Sequence, residues 1–488
     1  MTTGAAATKV NVARYVNSAI TVLLMIVIGQ LPPFGQVSEV GMRILGVFIG
    51  MLYGWITVDI LWPSLLGIVG LGLSGFFTVN SAMAGAWGNP NLLMTFSSAI
   101  FAAVFDACKV SDLIAAWCLS RKFIKGRAWV LAGMLALANG LIGIFANGIA
   151  GIFLLWTVIL KIAKYCGLPK GDRFISFLLS IVVFTGISAG CSVPFRGGAI
   201  IFLGFANSGE AGAIVTPSYA SFLLYMVFIY AVSFFLLIIC TKLFIKMDVS
   251  RITMPDEIIS ELKQNKINFE QKVGVVVTAL FFIMLFLPGI LPADAPGVSW
   301  LSSLGLIGVS FLLLVGLSIL QKPDGTPFII VAECHKNIPW PVLWLFGATF
   351  PLADAMKAPE TGIMATVNAG LVPLVSDMSL FTFMALCTLV LGVVTQFTHN
   401  MVLGAMFLPV LCPLAAQLGG NATVMFFLGY IILNCAYVTP AASMQAGFVH
   451  GHPDIATRDA YIFGILLLVL TYLVLMVIGI PLGNMVFK

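Results

Sequence analysis

Charge is what this chain has least of. Asp, Glu, Lys and Arg together make up 9% of its 488 residues, against about 25% in a soluble globular domain, so a fully water-facing surface is excluded. Histidine is rare, with four in all. No HExxH, no clustered carboxylates and no nucleophile–base constellation occur, which argues against a membrane-embedded enzyme. Nucleic-acid motifs are missing as well, so no nucleic-acid partner is expected. The nine cysteines show no CxxC and no metal-ligand spacing. Cys108, Cys118, Cys240, Cys387 and Cys412 lie within apolar runs, where a small thiol packs as a hydrophobe. The ten-residue alternation of a transmembrane barrel is not seen. A polar leader precedes the first apolar run without a small-residue cleavage site.

What is present is apolar length. The chain is 60% hydrophobic, its mean hydropathy is +1.09, and runs of about 20 residues, enough to span a bilayer, recur to the C-terminus. An all-α polytopic membrane protein is expected, embedded in a lipid bilayer. Basic residues collect at Lys9 and Arg14, at Arg121–Arg127, at Lys161–Arg173, at Lys242–Arg251, and at Lys322 and Lys336. The alternate loops hold Glu39, Arg43, Glu210, Asp294 and Asp377. By the positive-inside rule the basic loops and the N-terminus are cytoplasmic. With no organelle-targeting pattern, a bacterial inner membrane is expected.

Spans are expected at about Asn17–Leu31, Val40–Val58 and Ile60–Phe77. A long segment, Asn89–Leu119, follows, with Asp106 and Lys109 as an i,i+3 pair on one helix face. Trp129–Ile162 must leave and return on the same side, and its small residues around Ala146, Asn147 and Gly148 read as a re-entrant hairpin. Phe174–Phe205 is broken by Ser188, Gly190, Cys191, Ser192, Pro194, Arg196, Gly197 and Gly198, as in an unwound helix lining a cavity. After a span at Ser218–Lys246, residues Asp248–Lys272 form the one extended polar stretch, a cytoplasmic linker. Spans at Val273–Leu291 and Trp300–Leu320 follow it.

The second half repeats these features in order. Asp354–Lys357 matches Asp106–Lys109. Leu391–Pro409 is apolar apart from Gln396, Thr398, His399 and Asn400 at its centre, as Leu141–Leu155 is apart from Asn147. Thr439-Pro440 breaks a helix as Val193-Pro194 does, and Ala460–Val486 closes the chain. Paired polar breaks at corresponding positions of two halves mark a secondary transporter with inverted repeats. About eleven transmembrane helices plus two re-entrant hairpins are expected.

These residues carry a resemblance to the divalent anion/sodium symporter family of the ion transporter superfamily, which moves dicarboxylates, citrate or sulfate. That family has a Ser-Asn-Thr tip on each hairpin, the second within Thr-Glu-Phe-Thr-Ser-Asn-Thr. Here the second tip reads Thr395-Gln396-Phe397-Thr398-His399-Asn400-Met401, with Phe407-Leu408-Pro409 following, and the first reads Ala146-Asn147-Gly148. The family's later Pro-Val-Ala-Thr-Pro-Pro-Asn loop is met by Pro440 to Gln445. The resemblance implies a homodimer working as an elevator, in which a scaffold domain holds a moving transport domain that carries a small anionic substrate. On that plan residues 1–126 and 273–379 form the scaffold halves, 127–247 and 380–488 the transport halves, and 248–272 the linker. It also implies two sodium sites, formed by Ala146, Asn147 and Ser192 and by Thr398, Asn400 and Thr439. Both tips lack the family's Ser and Thr, and Gln396 stands where glutamate is common.

Substrate contacts are expected from Asn147, Gly148, Arg196, His399, Asn400, Met401 and Ser443. A tip asparagine can offer an amide donor to an anion and a carbonyl to a cation, with helix N-termini favouring negative charge; the alternative is a cap that only satisfies the tip backbone. Arg196 can clamp a carboxylate, supply the fixed charge that sodium supplies in the family, or snorkel to the interface. His399 can donate to substrate, carry a proton or be structural. A sodium-coupled di- or tricarboxylate carrier leads. A proton-coupled carrier, an exchanger or a uniporter competes with it, and an ion channel is the alternative of another class.

Overall fold

The structure is a computed structural model and describes residues 12–146, 148–207, 214, 216–264, 267–292, 294–338, 340–375, 377–440 and 442–487. Among the described residues it is built from helices, with one isolated bridge between Gln321 and Pro327. α1 (Val12–Gly29) packs on α2 (Glu39–Thr57), which starts at Ser38, whose side chain accepts from the Gly41 N–H. α3 (Trp62–Leu73) is shorter than the span expected over Ile60–Phe77, because the chain turns at Ser74 and Gly75 (φ +90°) before α4 (Val79–Trp87). The long segment Asn89–Leu119 is two helices, α5 (Pro90–Ala107) and α6 (Val110–Leu119). Lys109 takes a left-handed φ of +49° between them, so no continuous helix face carries both Asp106 and Lys109.

α7 (Ala128–Phe145) and α8 (Gly148–Tyr165) make the first hairpin. α9 (Arg173–Cys191) and α10 (Gly197–Asn207) flank a break at 192–196, shorter than the expected one because Ser188, Gly190 and Cys191 stay in the last turn of α9 and Gly197 and Gly198 open α10; α11 (Tyr219–Phe244) follows. Within the linker, α12 (Asp256–Gln264) begins after Pro255 and buries Ile258 and Ile259. It is also ion-paired to Lys125 through Asp256 (2.5 Å) and to Lys161 through Glu261 (2.8 Å). Then come α13 (Phe269–Ile290), α14 (Val298–Ile319), α15 (Trp340–Lys357) and α16 (Ile363–Val375). The second hairpin is α17 (Leu380–Val394) with α18 (Asn400–Gln417); α19 (Ala422–Asn434) and α20 (Met444–Gly451) flank the second break. α21 (Thr457–Val474) runs through a π-helical turn at Leu475–Gly479 into α22 (Ile480–Val486).

Ten helices among the described residues are long and apolar enough to cross a membrane: α1, α2, α7, α8, α9, α11, α13, α14, α18, and α21–α22 as one. α3, α6, α17 and α19 are shorter apolar helices. The chain is thus a polytopic helical membrane protein. Among the described residues, those within Met1–Leu92 and Pro339–Asp377 form one compact unit, and those within Leu93–Ile338 and Met378–Lys488 another.

Both hairpins and both broken helices lie in the second unit. Its core is α9 and α19. α19 is buried along its whole length, and Phe174–Gly186 of α9 likewise; helices hydrophobic all round belong inside. α10 packs on α18, where Phe202 fits the space left by Gly404, whose Cβ would stand 2.4 Å from the ring. α20 packs on α9, with the Phe448 ring 5.5 Å from that of Phe153 in α8. Each short helix therefore reaches toward the other half's hairpin.

Candidate functional site

The first hairpin turns at Ala146 and Asn147. Asn147 lies outside the described residues. Ala146 is buried and caps α7. A helix C-terminus leaves carbonyl oxygens without intrahelical donors and carries the negative end of the dipole. Arg196, from the 192–196 break, meets both needs. Its Nη1 donates to Gly143 O at 2.5 Å, and its Nη2 donates to Ile144 O at 3.2 Å and Ala146 O at 2.5 Å. Three backbone oxygens thus converge on one half-buried cation.

Glycines make that approach possible. A Cβ on Gly148 would lie 2.7 Å from Gly186 O, and one on Gly143 2.5 Å from the Ala189 side chain, so α7 and α8 sit backbone-close on α9. Asn139, inside the apolar α7, pins the contact: its Nδ2 donates to Val182 O at 2.6 Å. Its Oδ1 is buried with no hydrogen-bond partner among the described residues. At the end of α9, Ser192 donates to Ser188 O (2.8 Å), and Ser188 shares a 2.7 Å hydrogen bond with the Tyr437 hydroxyl.

The second hairpin is tied to its own break by Gln396. Its Nε2 donates to Gly392 O and Cys435 O, both at 2.9 Å, while its Oε1 accepts the Val438 N–H at 3.0 Å. Thr395 donates to Leu433 O (2.9 Å), and the Thr439 hydroxyl donates to Gln396 O. Thr398 Oγ1 is buried with no partner among the described residues. His399 is exposed and caps α18, its Nδ1 accepting from the Met401 N–H at 3.3 Å. Asn400 Nδ2 donates to Asn434 Oδ1 (3.1 Å), and Asn434 Nδ2 donates to Tyr430 O (2.7 Å). Ser443 caps α20, accepting from Ala446 N–H at 3.0 Å and donating to Ala436 O at 2.8 Å.

The structure brings Ala146, Gly148 and Arg196 together at one hairpin, beside Ser192 at the end of α9. It brings Thr398, His399, Asn400, Met401 and Thr439 together at the other; Ser443 is bonded within its own break. The clusters are joined through Tyr430, whose hydroxyl donates to Cys191 O at 2.8 Å. Asn139, Asn434, Tyr430 and the bridging role of Gln396 escaped the sequence reading. The available signal was a polar side chain inside an apolar run, which is expensive unless partnered.

A hard cation such as sodium needs several oxygens. At the first hairpin the carbonyls of Gly143, Ile144 and Ala146 already receive a guanidinium, so the Ala146 oxygen does not fit a further cation. At the second, the orphaned Thr398 hydroxyl stands beside Asn400 and unwound backbone, and that set fits.

Residues 51–421 match the family described as CitMHS: Citrate transporter. The sodium-dependent dicarboxylate transporter SdcS of Staphylococcus saprophyticus is 23% identical over 96% of this chain and 93% of its own length. The Na(+)/dicarboxylate cotransporter 3 of Rattus norvegicus is 24% identical, over 43% of this chain and 38% of its own. Solute carrier family 13 member 1 of Homo sapiens is also 24% identical, over 38% of this chain and 34% of its own. Among solved structures, the Alcanivorax borkumensis YdaH transporter, described as having an unusual topology, matches 85% of this chain and 89% of that one. Its TM-score is 0.53 at 13% identity, a likeness of fold.

Proposed function

This chain belongs to the citrate transporter family, and from that membership we propose a secondary active carrier of a small di- or tricarboxylate, working by elevator-type alternating access. The family and its relatives are transporters rather than enzymes, and the resemblance to divalent anion/sodium symporters read from the hairpins holds. The observation that carries the proposal is the pairing of each hairpin tip with a helix break: Arg196 bonds α7 from the 192–196 break, and Gln396 and Thr439 join the second tip to the 435–443 break. Half-helices that meet at a polar turn are how such carriers build a site within the bilayer. The N-termini of α8, α10, α18 and α20 supply N–H groups and positive dipole ends for carboxylates, and Asn147, Asn400 and His399 supply side-chain contacts.

In this reading sodium is a co-substrate taken at the second hairpin by Thr398, Asn400 and nearby backbone oxygens. Arg196 is the standing cation of the first. The carrier acts as a homodimer in a bacterial inner membrane with its N-terminus cytoplasmic. The moving element includes 127–247 and 380–488. A second reading, exchange or uniport without sodium, is favoured by Gln396, whose Nε2 takes two backbone oxygens that a second-site cation would use.

Uptake of labelled succinate and citrate into proteoliposomes separates these. An inward sodium gradient should drive accumulation above the choline control. Uptake that ignores sodium but requires unlabelled substrate inside assigns exchange. Substrate that only equilibrates assigns uniport where the rate saturates with its concentration, and refutes the carrier itself where the rate stays proportional to it.

A further inference from the structure

We infer that the groove between α13 and α14 is a binding site for one anionic phospholipid, its phosphate at Lys272 and one acyl chain between the helices. The groove encloses about 410 Å³. Val273 and Val276 line one wall and Leu312, Gly316 and Leu320 the other, with Lys272 at one end. Val276 is 57% and Leu312 48% exposed, so the walls open outward, toward lipid in a membrane-embedded helix pair, and not into the core. The space has a local cause: nothing lies within 4 Å of where a Cβ on Gly316 would stand, so the α14 wall is indented there.

Charge selects the occupant. Lys272 is exposed and forms no ion pair among the described residues. It sits in the first turn of α13, where the dipole adds positive potential; Asn268 and Gln271 cap that turn reciprocally. Glu270, two residues away, projects from another side of the helix. Lys322 follows Leu320 at the same end of the groove. The nearby Asp324 carboxylate accepts from the Thr326 amide and hydroxyl (3.0 and 2.6 Å) and is attracted by Lys322, so Lys272 is the cation that faces the groove. Basic ends of grooves between membrane helices hold anionic headgroups in this way.

Length agrees with a lipid rather than a soluble anion. From Leu312 to Leu320 an α-helix rises about 12 Å, within one leaflet of a hydrocarbon core about 30 Å thick. The groove therefore starts at headgroup level, where the lysine is, and ends among acyl chains. A free phosphate would use the lysine and leave the apolar walls empty.

The test uses the purified full chain in detergent, titrated with phosphatidylglycerol, with phosphatidylcholine of the same acyl chains, and with inorganic phosphate. Melting midpoint and lipid retained in native mass spectra are the readouts. Phosphatidylglycerol should bind about fivefold more tightly than phosphatidylcholine, the factor that about 1 kcal/mol of attraction per lysine represents. Lys272→Gln should remove that preference and leave phosphatidylcholine binding unchanged. Gly316→Leu, which fills the indentation from a lipid-facing position, should weaken both lipids. Equal binding of the two lipids by the wild type, an undiminished preference in Lys272→Gln, or stabilisation reproduced by phosphate alone would each overturn the assignment.

Discussion

Replacing Arg196 by glutamine tests the first hairpin directly. The change removes a cation whose guanidinium holds Gly143 O and Ala146 O at 2.5 Å and Ile144 O at 3.2 Å. Hydrogen bonds from a charged donor contribute about 1.5–3 kcal/mol each, and orphaned buried carbonyls cost about 1–3. The three bonds share one donor group and do not add, and the side chain is only half-buried, so water relieves part of the loss. A net destabilisation of about 2–4 kcal/mol follows, a fall of about 2–4 °C in melting midpoint for a chain of this size. Arg196→Lys keeps the charge but not the fork, and should lose about half as much. The vacated oxygens then form a cradle that a sodium ion can enter. Sodium chloride should therefore stabilise Arg196→Gln more than the wild type, with choline chloride as reference. A variant that melts like the wild type, or whose sodium increment equals the wild type's, refutes the claim that the guanidinium occupies a cation position.

Gly186→Ala would place a Cβ 2.4 Å from Asn139 Nδ2 and should cost about 1–3 kcal/mol in overpacking. Adding Asn139→Ala should recover part of that loss, so strict additivity in the double-mutant cycle counts against the contact. Gln396→Glu replaces an N–H donor to Gly392 O and Cys435 O with an acceptor; its melting midpoint should become more sodium-dependent than the wild type's, and a flat sodium titration rejects the idea. Lys161→Ala removes an exposed pair with Glu261 and should change stability by no more than about 0.5 kcal/mol. A large drop in its chemical-denaturation midpoint would mean that buried Ile258 and Ile259 are not what seats α12.

The helix breaks were legible because their causes are local. Pro194 lacks a backbone N–H and stands among glycines and serines, and the structure ends α9 at Cys191 and restarts at Gly197, whereas Pro288, Pro351, Pro373, Pro409 and Pro413 lie inside helices. Pro440 likewise lies between α19 and α20, although α19 already ends at Asn434. Apolar run length likewise reflects transfer into hydrocarbon, a one-dimensional property of the chain. The division of Asn89–Leu119 was not legible, since nothing in the composition around Lys109 demands its left-handed φ. Arg196 showed itself as an anomaly, but its partners are carbonyls some 50 residues away. Backbone oxygens carry no sequence signal. Gln396 stands out in the sequence by the charge it lacks; its three hydrogen bonds depend on where the 435–443 turn runs, which only the folded chain decides.

The hydroxyl of Tyr430 has a mechanical consequence. Asn400 holds Asn434, Asn434 holds the Tyr430 carbonyl, and Tyr430 reaches the last turn of α9. Displacing the tip of one hairpin has to stretch or break one of these bonds unless the end of the opposite broken helix follows. One hairpin tip and the end of the opposite broken helix thus share a single unbroken hydrogen-bonded path.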